Sequence, residues 1–301
     1  MYYLIYGILY LFSLLPFWVL YLFSDVAAFF LHRILRYRKK IIAYNLSIAF
    51  PDKTEAERLS IAKDFYYRFT DNFIESIKLI SISKKEISKR FCCDKAMVNS
   101  LLNEGKNVQM LLGHFFNWEL ANLAYSICVP HSLIVVYMHI ENKLFLRLFN
   151  KIRSRFGSHL INATKFAKEY RPYARTRHAM VLVGDQNPGM PQKSYWTKYF
   201  GQTVPFVNGP EKSARLTNSA VIVGRVFRVK RGYYQSEIKL ITKEARSLPE
   251  GEITKQMVAF LEKAIREQPA NYLWSHRRWK WQFDEEKYGN LVLPPSPEEE
   301  Y

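Results

Sequence analysis

The chain has 301 residues, 49% of them hydrophobic and 16% aromatic, a composition that excludes a disordered polymer. Its 44 Lys and Arg outnumber 27 Asp and Glu, and the formal net charge of +17 indicates an anionic partner such as a membrane surface, a nucleic acid or an acidic protein. The three cysteines, Cys92, Cys93 and Cys128, follow no disulfide or metal-binding pattern. We therefore expect reduced thiols, no bound metal and no cofactor.

The first 24 residues carry no charged side chain, and this stretch exceeds the ~20 apolar residues needed to cross a hydrocarbon core. A cleaved signal peptide would need a basic region before a shorter apolar run, and a buried core helix would be shorter. Pro16 predicts a kink, which leaves one kinked span and a pair of interfacial helices as alternatives. Residues 1–35 are predicted to be a membrane anchor.

A basic run follows the apolar stretch directly and contains Arg33, Arg36, Arg38, Lys39 and Lys40. By the positive-inside rule, this run keeps its end of the anchor cytoplasmic, and the rest of the chain with it. The same anchor argues against nucleic acid as the partner of the basic surface.

Beyond the anchor, short apolar runs alternate with helical stretches. Thr54, with Glu57 three residues later, predicts a capped helix start. Buried strands are predicted at 107–112, 132–138, 178–184 and 220–229. Because helical stretches separate several of these runs, the fold class is α/β, with a central, mostly parallel sheet flanked by helices. A single domain is expected over residues 36–290, followed by a flexible acidic tail at 291–301.

The segment GHFFNWEL, residues 113–120, comes directly after the first of these strands. His114 therefore lies at the carboxyl end of a strand, where α/β sheets collect their catalytic groups. Asn117 is a natural N-cap, which puts Glu119 in the first turn of the next helix, where the helix dipole favours an ionised carboxylate. A strand–turn–helix geometry can fold this carboxylate back onto the imidazole and make His114 a general base. The alternative is a structural histidine.

This segment resembles the His-x-x-x-x-Asp/Glu motif of glycerolipid-type acyltransferases, in the form found in the late acyltransferases of lipid A biosynthesis. Four further segments are similar to the same family: RKKIIAYNLSIAFPDKTEAE at 38–57, GDQNPG at 184–189, FGQTVPFVNGPEKSARLTNSAVIVG at 200–224 and YLWSHRRWK at 272–280. The resemblance implies that His114 is the base, Glu119 its partner and Asp185 a further required acid. It also implies a functional arginine, either Arg153 or Arg155.

The residues beside these motifs suggest how substrates are held. Asp185 and Gln186 follow the strand at 178–184, so their side chains should lie near His114 if the strands are neighbours. The basic segment 151–178 contains Arg153 and Arg155, and arginine forks pair well with phosphate or carboxylate groups. Asn117 is a candidate oxyanion donor. The Trp-rich segment 274–281 is expected either to bind headgroups or to lie on the bilayer.

The resemblance implies an acyl transfer from acyl carrier protein, or from coenzyme A, to a hydroxyl of a lipid A precursor at the bacterial inner membrane. Departures such as an acid at Glu211, where the family pattern predicts an apolar residue, leave other acceptors open, among them aminolipids and lysophospholipids. A non-catalytic, basic lipid-binding membrane protein is the alternative from another functional class.

Overall fold

A computed structural model describes residues 2–294 of the chain. In this part of the chain the helices are α1 (Tyr2–Leu14), α2 (Phe17–Phe29), α3 (Lys39–Ala49), α4 (Glu55–Lys78), α5 (Lys84–Arg90), α6 (Ala96–Asn103), α7 (Trp118–Cys128), α8 (Lys143–Arg153), α9 (Phe166–Tyr170), α10 (Gly209–Thr217), α11 (Glu252–Glu267) and α12 (Glu285–Tyr288). The strands are β1 (Phe91–Cys92), β2 (Val108–Leu112), β3 (Ser132–Tyr137), β4 (His159–Asn162), β5 (His178–Val183), β6 (Ser194–Tyr199), β7 (Gln202–Val207), β8 (Ala220–Lys230) and β9 (Tyr233–Thr242).

Seven strands form the central sheet in the order β1-β9-β8-β2-β5-β3-β4. Strands β8, β2, β5, β3 and β4 run parallel, and only β9 with its short partner β1 runs the other way. This confirms the predicted α/β class with a mostly parallel sheet. All four predicted strands are present, and β2 and β5 lie side by side near the middle of the sheet.

Strands β6 and β7 form a separate antiparallel hairpin that the sequence did not reveal. Its tight turn uses Phe200 and Gly201, which both have positive φ, the conformation that matches the twist of paired strands. Val292 pairs with Trp196 of β6, and the Leu293 amide donates to the Trp196 carbonyl at 2.8 Å. The first residues of the predicted flexible tail are therefore attached to this hairpin. Residues 295–301 of that tail lie outside the described residues.

The anchor is broken at Pro16, as predicted, into α1 and α2, and α2 continues as a π-helix over Phe30–Ile34. Residues Phe17–Ile34 form the one helix of the described chain that is long and apolar enough to cross a membrane. Its residues Leu20, Ser24 and Ala28 are fully buried, whereas Trp18 is 68% exposed on the other side. One side of this helix therefore packs on the domain, where it contacts α4, and the other side is free to meet lipid.

The helix caps follow the local sequence. The Thr54 side chain accepts a hydrogen bond from the Glu57 amide, and the Glu57 carboxylate accepts one from the Thr54 amide, as predicted for a capping box. The unexpected acid Glu211 is 1% exposed and accepts hydrogen bonds from the amides of Gly251 and Thr254 at 2.6 and 3.0 Å. Glu211 thus satisfies the first amides of α11, which explains this departure from the family pattern without involving the substrate.

Candidate active site

The register of β2 and β5 brings two predicted site residues together. Leu112 pairs with Val183, and His114 and Asp185 each lie two residues beyond that pair. The imidazole Nδ1 of His114 lies 2.6 Å from Oδ1 of Asp185, and the His114 amide donates to Oδ2 at 3.0 Å. The expectation that Asp185 lies near His114 is therefore confirmed by the pairing of the two strands.

The turn that carries His114 is held by close packing. Gly113 has no room for a side chain, because an added Cβ would lie 2.8 Å from the Leu261 side chain and 2.9 Å from the Phe115 ring. The Phe115 amide donates to the Gly113 carbonyl at 2.8 Å and closes the turn. Glycine is thus required here by a close approach of neighbouring side chains, and the imidazole leaves the strand in a fixed direction.

Asp185 is buried, with 1% of its surface exposed. Burial alone would raise the pKa of this carboxyl, but the charge of His114 and the hydrogen bonds from His114 and Tyr272 outweigh it and lower the pKa to about 2. An ionised Asp185 keeps a proton on Nδ1 of the imidazole, and Nε2 then carries the free lone pair. The His114 side chain is 21% exposed, and the Gln186 amide nitrogen lies 3.2 Å from Nε2.

Glu119 lies in the first turn of α7, as predicted, but its carboxylate is not turned to the imidazole. Its two oxygens accept from Nε of Arg153 at 2.9 and 3.1 Å, and one of them also accepts from Nη2 of the same guanidinium. The Trp118 indole donates a further hydrogen bond to Glu119 at 3.1 Å. The expected His114–Glu119 hydrogen bond is therefore replaced by a Glu119–Arg153 ion pair. The reason is burial, since a carboxylate that is 2% exposed needs a cation and α8 supplies one beside α7.

Arg153 matches this carboxylate in charge and in shape. Burial lowers the pKa of the guanidinium, but the charge and hydrogen bonds of Glu119 outweigh it, so the pKa is raised overall. Trp118, which donates to Glu119, also packs edge-on against the His114 ring with centroids 5.4 Å apart. The ion pair is therefore linked to the imidazole through an indole.

The structure gives the two arginine candidates different partners. Arg153 holds Glu119, whereas Nη1 of Arg155 donates to the carbonyls of Leu79 and Ile82, both at 2.7 Å. Arg155 thus secures the chain just after α4 and lies away from the His114 hydrogen bonds. Of the two, Arg153 is the arginine that the structure brings to the site.

Asn117 caps α7 as predicted, because its side-chain oxygen accepts from the Leu120 amide at 3.0 Å. Its amide nitrogen donates to Glu75 at 2.9 Å, and the residue is fully buried. In this position the Asn117 side chain uses both of its polar ends within the protein. It acts on the site by fixing the turn between His114 and Glu119.

The C-terminal segment contributes residues that the sequence reasoning did not place. The Tyr272 hydroxyl helps to lower the pKa of the Asp185 carboxyl. Arg278 is 1% exposed, donates to the Pro205 carbonyl at 3.1 Å, and lies 4.1 Å from the centre of the Phe206 ring. Its positive charge lies close enough to interact with Asp185. The resemblance of the block 272–280 was the only signal for these roles.

The expectation that segment 274–281 lies on the bilayer is wrong for most of its large side chains. Trp274 is fully buried and Trp279 is 7% exposed, because both belong to the hydrophobic core, where Trp279 stacks on Tyr199 of the β6–β7 hairpin and Trp274 packs on Phe50. His276 is also shielded, and burial, together with the charges of Arg278, His114 and Arg38, outweighs Asp185 and lowers its pKa to about 4. A neutral imidazole therefore stands near the His114–Asp185 pair.

Comparison with known proteins connects this geometry to an activity. Residues 1–281 match the family described as bacterial lipid A biosynthesis acyltransferase. A lipid A biosynthesis palmitoleoyltransferase of Escherichia coli (strain K12) is 23% identical over 279 residues, covering 91% of this chain and 89% of that protein. A lipid A biosynthesis acyltransferase of Shigella flexneri gives the same values, and the lipid A biosynthesis acyltransferase 2 of Shigella flexneri is 22% identical, covering 80% of this chain and 77% of that protein. Because the family match covers almost the whole described chain, this protein belongs to the bacterial lipid A biosynthesis acyltransferase family and is an acyltransferase.

Proposed function

We propose that this protein transfers a fatty acyl chain from a thioester donor to a hydroxyl group of a lipid A precursor. The observation that carries the proposal is the His114–Asp185 pair, in which a buried carboxylate holds Nδ1 of a partly exposed imidazole and leaves Nε2 without a proton. The printed names of the relatives support lipid A as the acceptor class. The exposed apolar side of Phe17–Ile34 supports a reaction at a membrane.

In the proposed reaction, Nε2 of His114 takes the proton of the acceptor hydroxyl as its oxygen attacks the thioester carbonyl carbon. The carbon–sulfur bond then breaks, an ester is formed, and the proton passes to the departing thiolate. Asp185 stabilises the imidazolium that exists between these two steps. Gln186 is proposed to contact the acceptor, because its amide nitrogen lies 3.2 Å from Nε2. No protein nucleophile is required.

Glu119 and Arg153 are proposed to position the substrate. Their ion pair joins the first turn of α7 to the last turn of α8 and supports the Trp118 indole against the His114 ring. A rigid pair beside the base holds the reacting groups in line without itself exchanging a proton. Arg155 and Asn117 contribute through the backbone segments that they secure.

The donor is proposed to be acyl carrier protein, since an acidic carrier suits a chain with a net charge of +17. Coenzyme A is the alternative donor. The proposed location is the bacterial inner membrane with the domain facing the cytoplasm, because the basic residues that follow the apolar helix stay on the cytoplasmic side. Aminolipids and lysophospholipids are the alternative acceptors.

The test uses the full chain, purified in detergent, with radiolabelled acyl groups on acyl carrier protein or on coenzyme A. Each donor is offered with a lipid A precursor, an aminolipid or a lysophospholipid, and His114→Ala serves as the control. Label in the lipid A precursor, donated by the carrier protein and lost in His114→Ala, is the expected result. Label in another lipid would identify that lipid as the acceptor instead. No transfer to any of the lipids would support the non-catalytic lipid-binding alternative.

A further inference from the structure

Glu75 of α4 is a buried acid that the proposed reaction does not use. It is 3% exposed, and three different elements donate hydrogen bonds to it. The donors are the Tyr21 hydroxyl of α2 at 2.8 Å, the Tyr234 hydroxyl of β9 at 2.7 Å and the Asn117 amide at 2.9 Å. A buried carboxylate is costly to desolvate, so these three bonds are needed to hold it in place.

The three donors give Glu75 an unusual place in the molecule. Tyr21 belongs to the apolar helix that packs on the domain, and Asn117 lies in the turn between His114 and Glu119. Asn117 also caps α7, whose first turn carries Glu119. One carboxylate therefore connects the membrane-facing helix to the turn that positions both predicted catalytic residues.

A second polar contact joins the same two helices one turn further along. Ser24 of α2 donates to Asp71 of α4 at 2.7 Å, and Arg231 binds both Asp71 and Asp25, at 2.7 and 2.6 Å. A helix that only tethers a protein to lipid needs no directed polar contacts with the domain. The two polar contacts, Tyr21 with Glu75 and Ser24 with Asp71, lie on one side of an otherwise apolar helix and fix the position of α2 on α4.

We propose that Tyr21 and Glu75 are positioning residues of the active site. Through this pair, the apolar helix α2 holds the turn between His114 and Glu119 in addition to attaching the protein to the membrane. This inference rests on the proposed function for its kinetic readout. Loss of the Tyr21 hydroxyl leaves the buried carboxylate one donor short. The carboxylate then shifts towards its remaining donors, and Asn117 moves with it.

The first experiment compares Tyr21→Phe with Tyr10→Phe in the full chain. Both changes remove one hydroxyl from the apolar N-terminal helices, but Tyr10 is 42% exposed on α1 and serves as the matched control. We expect Tyr21→Phe to lower kcat ~10-fold, because the buried Glu75 loses one of its donors and the turn that it holds shifts. The KM for the acyl donor and the sedimentation with membranes should stay unchanged, and Tyr10→Phe should have normal kcat.

Hydrogen–deuterium exchange gives a readout that does not depend on activity. Peptides that cover residues 113–120 should exchange faster in Tyr21→Phe than in the unmodified protein or in Tyr10→Phe, whereas peptides that cover β3 should be unchanged. Unaltered exchange at 113–120 together with normal kcat would overturn the proposal, and so would equal effects of the two variants. If the unmodified protein transferred no acyl chain, the proposed function would fail, and exchange would still decide whether Tyr21 holds the turn.

A second experiment compares a conservative and a non-conservative change at Glu75. Glu75→Gln keeps an oxygen that can accept from Asn117 and Tyr234, and its amide can donate to the Tyr21 oxygen. We expect this variant to keep kcat within ~3-fold of normal, whereas Glu75→Ala should lose ~100-fold, as expected when a catalytic group is displaced by about 1 Å. If Glu75→Ala does not fold, Tyr234→Phe replaces it, with an expected loss of ~10-fold. Equal activity of the alanine and glutamine variants would contradict a positioning role.

Discussion

The carboxylates of Asp185 and Glu119 both lie beside the turn that carries His114, yet their partners differ and so do the roles proposed for them. Each is almost fully buried: Asp185 accepts hydrogen bonds from the imidazole and the backbone amide of His114, and Glu119 accepts them from the Arg153 guanidinium. The partner of Asp185 is an imidazole, which can gain and lose a proton, whereas the partner of Glu119 is a guanidinium, which stays charged. Asp185 can therefore take part in proton transfer through His114, and Glu119 supplies a fixed charge and a fixed position.

The largest effect is expected from removal of His114, the proposed base. His114→Ala should lower kcat by ~100- to 10,000-fold, the usual contribution of a positioned general base. Binding of the acyl donor should be retained, because the basic surface is untouched. Circular dichroism must first show a folded protein, and kcat is then measured in the radiolabel assay. A folded His114→Ala protein with near-normal transfer would make His114 a structural histidine.

The next largest effect distinguishes the roles of the two carboxylates, because Asp185→Asn and Glu119→Gln should lower kcat to different extents. Asp185→Asn keeps the shape of the side chain but no longer accepts the Nδ1 proton as an anion, so kcat should fall ~100-fold or more, with little change in KM. Glu119→Gln should cost less in kcat, because no proton moves at Glu119. Combining His114→Ala with Asp185→Asn should be little worse than His114→Ala alone, since residues that act as a unit lose their effect together. A larger loss in Glu119→Gln than in Asp185→Asn would reverse the assignment.

Stability should respond most to the Glu119–Arg153 pair. Arg153→Ala leaves a buried carboxylate without its cation, and this should lower the free energy of unfolding by ~3–5 kcal/mol. Arg155→Ala removes only hydrogen bonds to the Leu79 and Ile82 carbonyls, with an expected loss of ~1–3 kcal/mol. Denaturant unfolding in detergent measures both variants. Equal, small losses would mean that the ion pair is open to solvent.

The smallest effect is expected from Thr54→Ala, which serves as a control for the influence of lost stability on kcat. Thr54 caps α4 at an exposed position, at the opposite end of the helix from Glu75. Thr54→Ala should lower the free energy of unfolding by ~1 kcal/mol through the lost cap and leave kcat unchanged. The same unfolding and transfer assays apply. A fall in kcat here would show that modest destabilisation alone reduces activity, and the kinetic comparisons above would then need correction for stability.

Local sequence signals predicted much of this structure because they act over a few residues. Pro16 breaks the anchor, Thr54 and Asn117 cap their helices, and apolar runs became the strands β2 and β5. Asp185 was expected near His114 only on the condition that the two strands are neighbours, and the structure pairs them. The helix break, the caps and the strands depend on backbone geometry that a short segment determines by itself, whereas the pairing of β2 with β5 joins distant segments.

The pairing of Glu119 could not be predicted, because it depends on how α8 packs beside α7. The five-residue spacing between His114 and Glu119 is compatible with a contact, but burial of Glu119 against Arg153 took precedence. Arg278 was misjudged for a related reason, since a run of basic and aromatic residues is typical of surfaces. Its burial requires the β6–β7 hairpin, whose Phe206 ring and Pro205 carbonyl receive the guanidinium.

The equal offset of His114 and Asp185 from the paired residues Leu112 and Val183 has a consequence for how freely this chain can vary in length. His114 and Asp185 lie 71 positions apart, and the segment between them includes α7, β3, α8, β4 and α9. Insertions in the surface loops among these elements leave the offset unchanged, and the entropic cost of a longer loop grows only slowly with its length. One residue added between Leu112 and His114 would instead shift the imidazole relative to Asp185. The two residues that follow β2, Gly113 and His114, are therefore expected to tolerate no insertion or deletion, whereas the loops between His114 and Asp185 can vary in length.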